Sequence, residues 1–285
     1  MCKPGFEDNR RCGGIQQRYD ERRSEYVGQQ GHGLRLRAGS FRFLHRIVTQ
    51  NRDDLSNSMK LVLFDIDGTL VDCGGQARNA FADALQHVMG TTGGLSHYDF
   101  SGKLDPRIVM DLLTGMGLSR DAAKQKLPDV RAEYLERLER DLHVEKMRLL
   151  PGVGELLDAL MARNDIALGL LTGNWEQGGR IKIGRYDLNR YFPFGSFGDD
   201  GMDRNALPPI ALERAKQTLG RTFEAHEAVI VGDSLLDITC AQANGLRCLA
   251  VATGKTLPET LAAANPDWLE QDLSGAILHE AFVTG

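Results

Sequence analysis

Long apolar runs are missing from this chain. No stretch of about eighteen consecutive apolar residues occurs, so no helix of membrane-spanning length is expected. Cysteine is sparse and scattered. The five residues Cys2, Cys12, Cys73, Cys240 and Cys248 are odd in number and never fall in CxxC spacing. That pattern excludes a disulfide framework and a zinc site of clustered thiolates, and it fits a reducing, cytoplasmic setting. Positive charge is not in excess either. The formal net charge is −5 at pH 7, which argues against nucleic acid as a partner. No internal repeat is visible.

What is present falls into two parts. The first 58 residues are rich in Arg, Gly, Gln and Asp, with eleven basic and seven acidic side chains and little apolar periodicity. They lack the apolar centre of a secretory signal. The stretch "LRLRAGSFRFLHRIV" could form a basic amphipathic arm for targeting or binding. The preferred reading is a disordered leader, or a non-native extension ahead of a natural start at Met59. The remaining residues are distinctly acidic and numerous enough for one large domain or two modest ones.

From Met59 onward, apolar strand-like runs alternate with helical periods. "KLVLFDI" (60–66) reads as a strand covered on both faces. "IALGLLTGN" (166–174), "AVIVGDSLLD" (228–237) and "RCLAVATG" (247–254) repeat the theme. Helical spacing is predicted over 74–90, 106–116 and 122–143, then after the Pro151–Gly152 turn, and again in "LPPIALERAKQTLG" (207–220). This order predicts an α/β fold with a doubly wound parallel sheet. Residues 59–73 and 151–285 would make the core. Residues 74–150, with no convincing strand, would be an inserted helical cap.

The polar residues at the strand ends carry the chemistry. Asp65 and Asp67 close the first strand, Thr172 follows the second, and Asp233 and Asp237 follow the third. In an open parallel sheet, ligands bind beyond the carboxyl ends of the strands. Two neighbouring carboxylates repel, and a divalent cation relieves that repulsion. With oxygen ligands and no His or Cys nearby, Mg²⁺ fits and zinc does not. Taken singly, each acid could be a turn former or a helix cap, as expected for Asp72 and Asp187. Three such clusters in order, each after its own apolar strand, are hard to assign to chance.

"DIDGTLVD", "LLTGN" and "VGDSLLDI" together resemble the signature motifs of the haloacid dehalogenase superfamily of phosphohydrolases. The likeness spans about residues 59–275 and is nearest to the phosphoglycolate phosphatase-like branch, in which a helical cap follows the first motif. The resemblance implies a Mg²⁺-dependent phosphatase acting on a small phosphate monoester, phosphoglycolate-like or a sugar phosphate. Asp65 would be the nucleophile, forming an aspartyl phosphate, and Asp67 the general acid and base. Asp65, Asp233 and the main-chain carbonyl of Asp67 would hold the metal. Thr172, Gly173 and Asn174 would bind phosphoryl oxygens, and Asp237 would orient the metal's water or the loop.

The chain departs from the family where a Lys is usual before the helix that precedes the last motif. Arg204 stands there and is the expected cation, with Lys182 the competing candidate and Lys216 a weaker one. In "FSGKLDPRIV", Leu104 stands where the related caps carry Thr, and Lys103 would face either the substrate or solvent. The same residues would serve a sugar phosphomutase, and a non-catalytic binding module would keep the fold. The true dehalogenases of the superfamily lack the second acid that Asp67 supplies. A small phosphorylated metabolite is the expected partner, for a monomer or a homodimer.

Overall fold

The computed structural model describes residues 59–283. The expectations for residues 1–58 lie outside the described residues. The first strand, β1 (Lys60–Phe64), is buried along its whole length. A strand buried on both faces needs continuous apolar side chains, and "LVLF" supplies them. The chain then forms a short strand β2 (Val71–Asp72) and enters three helices: α1 (Gln76–Met89), α2 (Asp105–Gly115) and α3 (Arg120–Asp141). It returns through β3 (Arg148–Leu149) into α4 (Val153–Met161) and β4 (Ile166–Leu171). Next come α5 (Glu176–Gly184), β5 (Gly195–Ser196), α6 (Leu207–Leu219), β6 (Ala228–Gly232), α7 (Leu235–Ala243), β7 (Arg247–Val251), α8 (Pro258–Ala263) and β8 (Trp268–Glu270).

Six strands form one sheet in the order β5-β4-β1-β6-β7-β8, every pair parallel. The first strand is thus central. Phe64 lies beside Leu170 of β4 on one side and Val231 of β6 on the other. Their carboxyl ends open together, and the chain passes from β1 to one side of the sheet before returning to the other. That reversal creates the crevice in which such sheets bind ligands. Alternate side chains enter separate cores on the two faces. Val62, Phe64, Leu168, Val229 and Val231 face one way, and Leu61, Leu63, Ala167, Ala228 and Ile230 the other. The α/β reading of the sequence is confirmed.

The interval 74–150 is helical except at one point. Arg148 and Leu149 pair antiparallel with Asp72 and Val71, so the expectation of no strand there needs correction. Two residues are too few to show a period in sequence. Their pairing comes from the outgoing and returning chain lying side by side. The strands β5 and β8 were also missed, for the same reason of length. The helix α3 opens at Ser119, whose Oγ accepts the Ala122 N–H at 3.2 Å. It packs on α1 through Tyr134 stacked on Phe81, with centroids 3.9 Å apart. Trp175, at the start of α5, reaches up to both rings. No helix among the described residues is long and apolar enough to cross a membrane.

Candidate active site

Asp65 is the residue after β1, and its N–H donates to the Val231 carbonyl of β6. The sheet therefore fixes where its carboxylate points. Asp65 is only 5% exposed, and ligand oxygens of Asp65, Asp233 and Asp237 lie within 4.8 Å of one another. Arg204 meets this cluster from the loop before α6. Its Nη2 lies 2.5 Å from Asp237 Oδ1 and 3.4 Å from Asp65 Oδ1, and its Nη1 donates to the Gly102 carbonyl at 2.7 Å. Asp237 is fully buried, and its other oxygen accepts from the N–H and the hydroxyl of Ser234, which caps α7. Both of its oxygens are thus engaged within the protein. Asp233 accepts from Thr69 Oγ1 at 3.2 Å.

Three buried carboxylates face one guanidinium, so the cluster carries surplus negative charge. Burial pushes the Asp65 carboxyl up to about 6. Arg204 opposes the shift, while Asp237 and Asp67 add to it. Burial likewise raises Asp233 well above the ordinary carboxylate range, with Asp65 the next cause. Gly254, in the turn after β7, leaves the space beside Asp233 open. A Cβ there would sit 1.6 Å from Asp233 Oδ2. An all-oxygen donor set with unbalanced negative charge suits a hard divalent cation, so the residues present fit Mg²⁺.

Asp67 has different surroundings. Its side chain is 44% exposed, and Lys182 Nζ lies 2.6 Å from its Oδ2. Asn174 Nδ2 donates to the same oxygen at 2.9 Å and to Thr172 Oγ1 at 2.8 Å. Lys182 also donates to Asn174 Oδ1 at 2.6 Å. Burial is the largest influence on the Lys182 ammonium and works against it, but Asp67, Tyr134, Cys73 and Asp105 together raise the pKa well above the ordinary value. Thr172 acts to lower the Asp65 carboxyl, against the effect of burial. Both candidate cations therefore stand at the site, Arg204 on Asp65 and Lys182 on Asp67.

One loop of the helical interval hydrogen-bonds this floor directly. The Asp105 N–H donates to the Gly173 carbonyl at 2.7 Å, and Asp105 Oδ2 accepts the Trp175 N–H at 2.9 Å. A Cβ on Gly173 would lie 2.1 Å from the Lys103 carbonyl oxygen, so glycine is what admits this contact. The Lys103 ammonium lies 4.1 Å over the Tyr98 ring and lines the cavity, whose volume is about 340 Å³. Burial raises Asp105 to about 7, against the pull of Lys182. Asp72 accepts from the Gly74 N–H at 2.8 Å, as a turn former does. Asp187 has a φ of 56° at the start of a short helix.

Sequence reasoning passed over Thr69, Asp105, Tyr134 and Gly254. Thr69 lies inside "DIDGT" and Gly254 closes "VATG", so strand-end position was a signal for both. Asp105 lies inside "FSGKLDPRIV", where only Leu104 and Lys103 were weighed, whereas Tyr134 arrives from a helix remote in sequence and left no local signal.

The fold and site together define a class, and comparison with known proteins agrees. The family model for haloacid dehalogenase-like hydrolases matches residues 62–251. A phosphoglycolate phosphatase of Synechococcus elongatus is 30% identical over 216 residues, 74% of this chain and 92% of that protein. Another of that name from Photorhabdus laumondii is 28% identical, over 76% of this chain and 90% of its own length. The crystal structure of a hydrolase from Pseudomonas syringae superposes with a TM-score of 0.61 at 19% identity, over 80% of this chain and all of that one. The chain belongs to the haloacid dehalogenase-like hydrolase family, in the phosphoglycolate phosphatase-like branch, and is a phosphoric monoester hydrolase.

Proposed function

We propose that this chain is a Mg²⁺-dependent phosphatase that hydrolyses a small phosphate monoester, phosphoglycolate-like or a sugar phosphate, through an aspartyl phosphate on Asp65. The observation that carries this reading is the contrast between the two acids. Asp65 is buried beside Arg204 and Asp233, whereas Asp67 is half-exposed and held by Lys182 and Asn174. A nucleophile needs a fixed direction of attack. A proton carrier needs reach toward the leaving group and then toward water.

Asp65, Asp233 and the main-chain carbonyl of Asp67 would hold the Mg²⁺, which would offset charge on the phosphoryl oxygens. The Asp65 carboxylate attacks phosphorus as the bond to the ester oxygen breaks, and Asp67, carrying a proton, gives it to that oxygen so that the alcohol leaves. Asp67 then takes a proton from water, which attacks phosphorus and frees Asp65 and inorganic phosphate. Thr172 and the N–H groups of Gly173 and Asn174 hold the phosphoryl oxygens. Arg204 balances charge at Asp65. Residues 74–150 act as a cap on the core of 59–73 and 151–283. Their loop at 101–105 covers the site and keeps bulk water from the intermediate. Lys103 faces the leaving group.

A cytoplasmic monomer or homodimer is the setting that fits, with Cys73, Cys240 and Cys248 free and buried among the described residues. Steady phosphate release from a panel of small esters, with and without Mg²⁺, tests the reading. An Asp65→Asn chain should release none. A mutase would return the phosphoryl group to its intermediate instead of releasing it. No release from any ester would leave the hydrolase reading unsupported.

A further inference from the structure

Tyr134 lies on α3, and its side chain is fully buried. The ring is accounted for by packing: it stacks on Phe81 and tilts against Trp175 at 5.7 Å. Phenylalanine would pack as well. The hydroxyl is not accounted for, because it is buried and no hydrogen-bond partner among the described residues reaches it. Buried phenols ordinarily find one, and an unmet hydroxyl destabilises the fold.

This oxygen is not lost in an apolar interior. Tyr134 lines the same cavity as Asp65, Asp67, Thr172 and Lys182. After burial, the groups that act most on its hydroxyl are Lys182, Asp105 and Asp67. Each of those already has partners. Lys182 is engaged by Asp67 and Asn174, and Asp105 by the Trp175 N–H. Burial also raises the phenol well above its ordinary range, so it stays a donor. The neighbouring wall is apolar, formed by Phe81, Phe100 and Ile108. One polar group set in an apolar wall is how a pocket fixes ligand orientation.

We infer that the Tyr134 hydroxyl is a specificity-determining donor for the leaving group, and that the substrate's alcohol carries a second oxygen, a hydroxyl or carboxylate, beyond the ester oxygen. This rests on the phosphatase reading above. It adds which element of the helical layer senses the substrate, and by which atom.

The test uses full-length chains in an Asp65→Asn background, so that binding is read without turnover. Calorimetric titration with 2-phosphoglycolate, glycerol phosphate and a hexose phosphate is compared with ethyl phosphate, which has no second oxygen. Adding Tyr134→Phe should weaken the tightest oxygen-bearing ester by about tenfold, as expected for one lost hydrogen bond. It should leave ethyl phosphate unchanged. The melting temperature without ligand should hold or rise, since an unmet buried hydroxyl has been removed. Equal loss for both kinds of ester, no loss for either, a lowered melting temperature, or no binding of any oxygen-bearing ester would overturn the assignment. Failure of the phosphatase reading is separate, and shows as no phosphate release from the chain with Asp65 intact.

Discussion

Asp65 and Asp67 are two positions apart, yet their cations come from different places. Arg204 reaches Asp65 from the loop before α6, and Lys182 reaches Asp67 from α5. Arg204→Ala should lower turnover by on the order of a hundredfold, as loss of a preorganised donor does. It should also lower the melting temperature, because Asp65 and Asp237 keep buried charge without a partner. If Arg204 were the only catalytic cation, Lys182 would be dispensable. Its contacts argue otherwise, and Lys182→Met should cost at least about tenfold in turnover by freeing Asp67 and Asn174. Wild-type rates in either variant would remove that cation from the mechanism. Asp105 offers a pH test. Its carboxyl has an ordinary value of 3.8 but holds its proton to about 7 in the fold. Between those values the folded chain binds more protons than the unfolded chain, so stability falls as pH rises through that window. Asp65, raised to about 6, acts in the same direction in metal-free protein. Asp105→Asn should flatten the decline, read as urea midpoints in EDTA. An unchanged slope would show that Asp105 is ionised throughout. Strand-end acids were legible because apolar runs point to them. The Lys182 contact was not, since it depends on the roll of α5 against the sheet.

Elements with a long period were equally legible. The helices α1, α2, α3 and α6 and the four longer strands lie where apolar spacing placed them, apart from a residue or two at the ends. Strands of two or three residues escaped, because pairing across space makes them and period does not. The seat of the 101–105 loop was also illegible. It depends on a backbone approach that only Gly173 allows. Gly173→Ala would force a Cβ to within 2.1 Å of the Lys103 carbonyl oxygen, and backbone cannot yield as a side-chain tip can. The loop should lift, with a loss in kcat/KM on the order of a hundredfold from displaced groups. A normal rate and an unshifted loop in a crystal structure of the variant would contradict that.

At the scale of the whole molecule, the charge surplus beneath β1 and β6 makes the site incomplete without a cation. Chelation should abolish turnover and added Mg²⁺ restore it. Mg²⁺ should also raise the melting temperature, since it binds the folded chain alone. Full activity after thorough chelation would sink the metal reading. A chain beginning at Met59 contains both cores and every site residue named above, so it should fold and release phosphate at the full-length rate. Loss of solubility on that truncation would give residues 1–58 a structural part. The two-residue ladder between β2 and β3 has a mechanical consequence. Val71 and Asp72 leave the sheet layer, Arg148 and Leu149 return to it, and the two passages are hydrogen-bonded edge to edge, with Asp72 also paired to Arg148. Two separate tethers would let the helical layer wobble and twist freely. A stitched ribbon resists shear within its plane, so the two passages act as one strap that keeps the helical layer in a single register over the strand ends.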